Sequence, residues 1–198
     1  MLDELNHLSI SVYQQAKKGN YYCGDSYFYK ETGEAFVCAV ADGLGSGEMA
    51  HESSKAVMEM VEKYPDLTIE SLVHKCNEAL VGKRGVVLGI LRIDLIAETY
   101  SYSSIGNIGV ITLDNDGTRG RNIPLAGYLA GYPKKLRVTR GKVHPGMIFM
   151  MFSDGVVDRN LSAKHTRTQN VKVITEQYKE LYGQARDDDT TLIAIQYK

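Results

Sequence analysis

The chain has 198 residues, of which 43% are hydrophobic and 24% are charged. This composition is typical of a globular protein and excludes a disordered chain, and the length predicts a single domain over residues 1–198. The 23 Lys and Arg residues nearly balance the 24 Asp and Glu residues, and the net charge of −1 argues against nucleic acid or an anionic membrane as the main partner.

The sequence gives no sign of export, disulfides or zinc. Residues 1–10 include Asp3 and Glu4 and lack the apolar core of a signal peptide, and no later stretch approaches ~18 apolar residues. We therefore expect a cytoplasmic protein. The three cysteines form no C-x-x-C pair and predict reduced thiols, and the five histidines show no metal-binding spacing, so none is assigned as a ligand.

The first clear element is a buried strand over 35–41, AFVCAVA, which ends at Asp42-Gly43. Apolar residues then recur at steps of three and four over 47–64, which predicts a helix. A second helix follows, with Thr68 as its N-cap. Its apolar stripe consists of Ile69, Leu72, Val73, Cys76 and Leu80.

The middle third predicts antiparallel hairpins from strand-like runs at 85–94, 99–106 and 108–113, and the turn DNDG closes the last run. A further strand is expected at 147–152, before a helix and a final strand. The apolar stripe of that helix consists of Val171, Ile174, Tyr178 and Leu181. Strands that surround grouped helices predict an α+β fold, most simply packed sheets with helices outside.

The stretch AVADGLGSGEMA, residues 39–50, permits two interpretations. From Gly45, it has the outline G-x-G-x-x-A of a dinucleotide-binding turn. From Asp42, it is a carboxylate at a strand end followed by a flexible glycine loop, which can hold a metal ion. A dinucleotide-binding unit needs its helix to lead promptly into a parallel strand, but here a second helix follows. This order favours the metal-binding interpretation.

Aspartates at four strand boundaries are the candidate site. They occur in Gly24-Asp25, Asp42-Gly43, Ser153-Asp154-Gly155 and Asp187-Asp188. Each alone is a common turn sequence, so the argument depends on their joint occurrence. If these strand ends converge, the carboxylates need cations to neutralise them, and oxygen ligands favour Mg²⁺ or Mn²⁺ over zinc. Two such ions can activate a hydroxide for attack on a phosphate.

The motifs CGDSYF, AVADGLGSG, FSDG and RDDDTTLI follow one another over nearly the whole chain. This series resembles that of the type 2C, or PPM, metal-dependent serine/threonine protein phosphatases. The resemblance implies a central β-sandwich of two antiparallel sheets flanked by helices, with the metal ions at one end between the sheets. It also implies hydrolysis of phosphoserine or phosphothreonine in one step by metal-bound hydroxide, without a covalent phosphoenzyme.

The resemblance also implies roles for individual residues. Asp42 is expected to bridge two ions, and the Gly43 carbonyl to bind one of them. Asp25 would hold that same ion, directly or through water. Asp154 and Asp187 would bind the other ion, so the catalytic set is Asp42, Asp154 and Asp187, acting through the bound Mn²⁺ or Mg²⁺ and its hydroxide.

Two features depart from the longer members of the family. Gly24-Asp25 replaces a Glu-Asp pair, so one carboxylate is absent and we expect the second ion to bind more weakly. The arginine that usually precedes this motif and binds the substrate phosphate is also missing, and only Lys17 and Lys18 lie there. Arg84 is a candidate for binding the phosphate, although a surface arginine beside a turn is the simpler interpretation.

Other features have simple structural interpretations. We expect Asp188 and Asp189 to cap their turn and Ser153 to hydrogen-bond locally. The segment PLAGYLAGYPKK, residues 124–135, is either a connection between strands, which is the simpler interpretation, or a substrate-facing loop whose glycines and tyrosines suit an adaptable contact.

The short length and the form of the motifs resemble family members that act in the sigma-B stress pathway of Gram-positive bacteria. This likeness implies phosphorylated RsbS- and RsbR-type stressosome proteins as substrates, negative feedback on the stress response, and a monomer. The main alternative is a catalytically weak or inactive phosphatase-fold binding module. Another is a different two-metal phosphoester enzyme such as a small nuclease, but the absence of a basic tract argues against nucleic acid.

Overall fold

The fold is a sandwich of two antiparallel β-sheets. The computed structural model describes residues 2–157, 161, 170–184 and 187–198. Its strands are β1 (Leu2–Glu4), β2 (Leu8–Gln15), β3 (Asp25–Glu31), β4 (Ala35–Gly43), β5 (Val86–Asp94), β6 (Thr99–Ile105), β7 (Gly109–Leu113), β8 (Arg119–Arg121), β9 (Thr139–Lys142), β10 (Ile148–Phe152) and β11 (Thr190–Tyr197). The helices described are α1 (Glu48–Lys63), α2 (Ile69–Glu78) and α3 (Val171–Tyr182).

Every strand pairs antiparallel with its neighbours, which confirms the predicted fold class and excludes the dinucleotide-binding interpretation. The first sheet has the order β1-β2-β11-β10-β7-β8, and the second has the order β3-β4-β5-β6-β9. The outer face of the second sheet packs against α1 and α2, and that of the first sheet packs against α3. Among the described residues, no helix is long and apolar enough to cross a membrane.

The continuous apolar run of β4 is explained by burial of both of its faces. Phe36 and Cys38 face the core between the two sheets. Val37 and Ala39 alternate with them and pack beneath α1 and α2. Because successive side chains point to opposite faces of a sheet, a strand covered on both sides is apolar at every position.

One of the expected hairpins is wrong. β7 does not pair with β6 but lies in the other sheet, between β10 and β8. Between β6 and β7, Gly106 adopts a left-handed φ of 89°. Ile108 then enters the core between the sheets, where it is completely buried. The chain therefore crosses from one sheet to the other at this turn instead of folding back.

The predicted core-facing stripe of α3 is correct except at its last position. Val171, Ile174 and Tyr178 are buried, but Leu181 is 58% exposed. Tyr182, four residues after Tyr178, packs against the core instead. The step from Tyr178 is therefore four residues rather than three, and both steps are compatible with a helical period of 3.6.

The start of α1 packs directly on the end of β4. A Cβ atom at Gly43 would overlap the carbonyl group of Ala50, which lies in the first turn of α1. The predicted N-cap of α2 is confirmed, because the Thr68 hydroxyl accepts a hydrogen bond from the Ser71 N–H at 3.3 Å. The start of α1 is thus fixed beside the candidate site.

We predict that Gly43→Ala destabilises the protein by about 2 kcal/mol, because the added methyl group forces α1 away from β4. Gly33→Ala is the matched control, since a Cβ atom at Gly33 would have no neighbour within 4 Å. Urea unfolding followed by circular dichroism measures both variants. Equal stability of the two variants would contradict the close packing of α1 on Gly43.

Candidate functional site

Carboxylates from both sheets converge at one end of the sandwich. Asp25 begins β3 and Asp42 lies near the end of β4, where the two residues are direct cross-strand partners. Asp154 follows the end of β10, and Asp188 and Asp189 precede the start of β11. Charges of other residues in this group contribute to raised pKa values of Asp25, Asp42 and Asp154. We call these five residues, Asp25, Asp42, Asp154, Asp188 and Asp189, the aspartate cluster.

Asp25 is the most deeply buried member of the cluster, with 2% of its surface exposed. Its Oδ2 atom accepts hydrogen bonds from the Ser153 hydroxyl at 2.6 Å and the Thr191 hydroxyl at 2.8 Å. Its Oδ1 atom is buried and has no hydrogen-bond partner among the described residues. Burial raises the pKa of Asp25 to about 7, although the two hydroxyl hydrogen bonds oppose this shift.

The expected local hydrogen bond of Ser153 is wrong. Its hydroxyl reaches across the sandwich to Asp25 and also accepts a hydrogen bond from the Thr191 N–H at 2.9 Å. Ser153 is completely buried between the ends of β10 and β11, where it cannot turn back to its own loop. It therefore joins the first sheet to the start of β3.

Asp42 is the member of the cluster whose pKa is affected by the charges of all four others. Burial raises its pKa to about 8, and the charges of Asp25, Asp154, Asp188 and Asp189 add to the shift. Asp154 has a raised pKa for the same reasons, burial first and the charge of Asp188 second. These raised pKa values indicate a group of carboxylates that lacks counter-charge.

Asn107 is a site residue that the sequence reasoning missed. Its side-chain amide donates a hydrogen bond to Asp154 Oδ2 at 2.6 Å and so orients that carboxylate. Asn107 follows the Gly106 turn through which the chain changes sheets. The change of sheet could not be foreseen from the strand pattern, and neither could this contact.

The missing glutamate of the first motif has a structural counterpart. The Gly24 N–H donates a hydrogen bond to Asp189 Oδ2 at 2.8 Å, and the Lys17 N–H donates to Asp189 Oδ1 at 2.8 Å. A Cβ atom at Gly24 would lie 3.0 Å from Asp189 Oδ2. Asp189 therefore occupies the space beside Gly24, where a glutamate would place a second carboxylate against it. Asp189 thus binds the backbone of another segment, whereas it was expected to cap its own turn. The expectation is correct for Asp188, whose Oδ1 atom accepts a hydrogen bond from the Asp189 N–H at 3.0 Å.

In the C-terminal motif, the charge that acts on the cluster is that of Asp188. Asp188 is among the residues that raise the pKa values of Asp42 and Asp154. Asp187, the predicted ligand, is not among the causes of either shift, and since Asp187 and Asp188 are both exposed, burial does not distinguish them. The resemblance gives this motif the pattern D-D-x-T, in which the first acid binds a metal ion, and the pattern fits the sequence in two frames, ending at Thr190 or at Thr191. Thr191 donates a buried hydrogen bond to Asp25, so the threonine that belongs to the site is the one that ends the second frame. In that frame, Asp188 is the first acid.

Arg84 lies over the glycine loop that follows Asp42. A Cβ atom at Gly45 would overlap the Arg84 guanidinium, and Gly45 adopts a left-handed φ of 100°. The Leu44 N–H donates to the Gly85 carbonyl at 3.0 Å, which holds this loop against the turn that contains Arg84. The side chain of Arg84 is exposed, so its guanidinium can contact a ligand.

Aromatic side chains flank the first motif where an arginine was expected. Tyr22 stacks on His51 of α1, with ring centroids 5.5 Å apart, and Tyr21 meets Tyr22 edge to face at 5.1 Å. His51 Nδ1 donates a hydrogen bond to the Cys23 carbonyl at 2.9 Å. Burial and the charges of Asp25 and Asp189 raise the pKa of the Cys23 thiol, so it remains protonated and is not a nucleophile.

The donor atoms of the cluster fit a hard divalent cation. Its side-chain donors are carboxylate oxygens, and the unpartnered Oδ1 atom of Asp25 needs a donor or a cation. Across the described ranges, however, no three His, Cys, Asp or Glu side chains are arranged closely enough to hold a metal ion without adjustment. The cluster is therefore a set of mutually repelling carboxylates rather than a closed ligand sphere.

Comparison with known proteins identifies the class. The family described as Stage II sporulation protein E (SpoIIE) matches residues 32–198. The chain therefore belongs to the SpoIIE family and is a protein phosphatase. It shares the fold of the PP2C phosphatase domain of SpoIIE from Bacillus subtilis, with a TM-score of 0.79 at 19% identity, covering 96% of this chain and 62% of that one.

Among individual proteins, the chain is 36% identical to the phosphoserine phosphatase RsbX of Bacillus subtilis (strain 168) over 192 residues, which cover 97% of this chain and 96% of RsbX. A crystal structure of RsbX in complex with magnesium superposes with a TM-score of 0.92 at 36% identity, covering 100% of this chain and 99% of that one. A structure described under the bacterial stressosome, a modular system adapted to control secondary messenger signaling, superposes with a TM-score of 0.86 at 26% identity, covering 96% and 99%.

We predict that the metal-free protein loses stability as the pH rises. The pKa values of Asp25, about 7, and Asp42, about 8, lie above those of unfolded carboxyl groups. The folded state therefore holds more protons than the unfolded state between about pH 4 and about pH 8, and each group lowers the free energy of unfolding by at most ~1.4 kcal/mol per pH unit in that window.

Urea unfolding in EDTA, from about pH 5 to about pH 8.5, measures this slope. Asp42→Asn should make the slope shallower, because an amide does not titrate. A stability that stays constant or rises over the window would contradict the raised pKa values.

Proposed function

We propose that the protein removes phosphate from phosphoserine or phosphothreonine on stressosome proteins of the RsbS and RsbR type. The observation that best supports the proposal is the position of Asp42 opposite Asp25 and within electrostatic reach of Asp154 and Asp188, in a chain 36% identical to a phosphoserine phosphatase. Acting in the cytoplasm as a monomer, it would return the sigma-B stress signal to its resting state.

We infer that the aspartate cluster holds two divalent cations, Mg²⁺ or Mn²⁺. Asp42 would contact both ions, and Asp25 and the Gly43 carbonyl would contact one of them. Asp154 and Asp188 would contact the other, so Asp188 takes the role that the resemblance alone gives to Asp187. When bound, such cations polarise the phosphoryl oxygens and make water a stronger nucleophile.

Residues that do not bind the cations orient those that do. The hydroxyl groups of Ser153 and Thr191 hold Asp25 Oδ2, which leaves Oδ1 available to a cation. The Asn107 amide holds one oxygen of Asp154 in the same way. Hydrogen bonds from such neighbouring groups fix the orientation of a carboxylate ligand and raise its affinity for the metal.

A stressosome protein as substrate is supported by two similarities. The first is the identity to RsbX over nearly the full length of both chains. The second is the likeness to a structure described under the bacterial stressosome, at 26% identity. The Gly-Asp-Ser form of the first motif and the short length of the chain add to this support, since both resemble phosphatases of the sigma-B pathway.

We predict that phosphate release from a phosphoserine protein and from p-nitrophenyl phosphate needs MnCl₂ or MgCl₂ and stops in EDTA. Asp42→Asn should lower the rate at least ~100-fold, because it removes the carboxylate shared by both ions. Asp188→Asn should also lose most activity. Asp187→Asn is its matched control and should stay within about twofold of the wild type.

Circular dichroism checks that each of these variants is folded. If Asp187→Asn is inactive and Asp188→Asn is active, Asp187 is the ligand, as the first frame of the motif predicts. If the wild type releases no phosphate from either substrate with either metal, the phosphatase proposal fails and the binding-module alternative is favoured.

Arg84 is our candidate for the residue that binds the substrate phosphate in place of the missing arginine. Its guanidinium lies against Gly45, and Gly45 is only two residues after the proposed ligand Gly43. We predict that Arg84→Gln raises the KM for both substrates about tenfold, since an arginine can bind a phosphate through two N–H groups. The neighbouring exposed Lys83→Gln is the control, and an equal effect of the two substitutions would exclude a specific role for Arg84.

A further inference from the structure

Charge is distributed unevenly along the chain. Residues 117–153 contain seven Lys and Arg residues and no Asp or Glu. The seven are Arg119, Arg121, Lys134, Lys135, Arg137, Arg140 and Lys142, and all are exposed. All 24 acidic residues therefore lie in the rest of the chain, against 16 of the 23 basic ones. The small net charge hides this separation.

The basic residues occupy one edge of the sandwich. β8 is the last strand of the first sheet, and β9 is the last strand of the second. Their neighbours β7 and β6 are joined by only three residues, 106–108, so both sheets end on the same side of the molecule, and the segment 122–138 connects β8 to β9 there. We call residues 117–142 the basic edge.

The connecting segment of the basic edge is fixed beside the catalytic end of the sandwich. Leu129 and Val86 exchange backbone hydrogen bonds of 2.9 and 2.8 Å, and Val86 is the cross-strand partner of Gly43. The Gly106 N–H donates to the Leu125 carbonyl at 2.7 Å. These bonds attach the segment to the end of the second sheet that carries the aspartate cluster.

The same segment presents large exposed side chains. Tyr132 is 79% exposed, Ile123 is 77% exposed and Tyr128 is 52% exposed. The buried Asn77 of α2 fixes the backbone beneath them, because its side chain donates to the Tyr132 carbonyl at 2.6 Å and accepts from the Gly131 N–H at 2.9 Å. Exposed tyrosines on a fixed backbone next to basic residues are typical of protein-binding surfaces.

We propose that the basic edge docks an acidic segment of the phosphoprotein whose phosphorylated residue enters the aspartate cluster. The inference rests on the proposed function, and it names the chemistry by which the substrate is selected. With two divalent cations bound, the cluster would be close to neutral and would attract the phosphate alone, so attraction for acidic residues around the phosphate has to come from another surface. The connecting segment of the basic edge supplies charge of the complementary sign at the end that carries the cluster, where Lys134 Nζ lies beside Gly127. Arg140 and Lys142 lie toward the other end of β6, and Arg140 is paired with Glu70. The tyrosines of the segment supply contact area.

The test uses two phosphoserine peptides of equal length, one with Asp and Glu around the phosphoserine and one with Asn and Gln at the same positions. In the variant Lys134→Gln/Lys135→Gln/Arg137→Gln, we expect kcat/KM for the acidic peptide to fall about tenfold, mainly through KM. Hydrolysis of the neutral peptide and of p-nitrophenyl phosphate should stay within about twofold of the wild type. The preference of the wild type for the acidic peptide should also decrease as salt is added.

The matched control is Lys30→Gln/Lys55→Gln/Lys63→Gln, which removes the same charge from exposed positions on β3 and α1. It should hydrolyse the acidic peptide like the wild type. An equal loss in both triple variants, or an equal loss for acidic and neutral peptides, would reduce the effect to overall charge and overturn the docking surface.

Binding separates this inference from the proposed function. Fluorescence anisotropy of the labelled acidic peptide needs no catalysis, and weaker binding by the basic-edge variant supports docking even if no phosphate is released. Hydrolysis of both peptides by the wild type without any preference would keep the phosphatase and overturn the docking. Tighter binding of duplex DNA or of phosphatidylserine vesicles than of the acidic peptide would also overturn it.

Discussion

Repulsion among carboxylates at the end of the sandwich is the constraint that organises this molecule. Asp25 and Asp42 are opposite each other on adjacent strands, a position where like charges destabilise a sheet. Asp154 and Asp188 add further negative charge from the other sheet. An arrangement so unfavourable for an isolated protein is the expected result when the carboxylates serve to bind cations, as they do in two-metal phosphatases.

The rest of the fold holds these groups in place against their repulsion. Hydroxyl groups from the ends of β10 and β11 bind the buried Asp25, and backbone N–H groups of the first motif bind Asp189. These hydrogen bonds join the two sheets where the carboxylates meet. Gly43, packed against the first turn of α1, fixes the loop that follows Asp42. The same contacts therefore connect the sheets and position the candidate ligands.

Local patterns in the sequence were sufficient to predict the helices and strands. They were not sufficient to predict the contacts between distant segments. The run over 35–41 and the Thr68 cap are specified by neighbouring residues, and the structure confirms both. The placement of β7 depends on how Gly106 and Ile108 meet the opposite sheet, which no strand pattern records. The choice between Asp187 and Asp188 likewise depends on a partner, Asp25, that lies more than 160 residues earlier in the chain. Long-range contacts decide such questions, because two frames of one motif are locally equivalent.

Because all acidic residues lie outside 117–153, this nearly neutral protein has one surface, the basic edge, whose charged side chains are all positive. The net charge describes the electric field of the protein only at distances from which the basic edge and the rest of the surface cannot be distinguished. Closer than about one Debye length, some 8 Å at physiological ionic strength, an approaching molecule experiences the local sign of the surface instead. A protein whose composition is nearly neutral can therefore orient a partner electrostatically before the two molecules make contact. Its isoelectric point alone is a poor guide to the molecules it attracts.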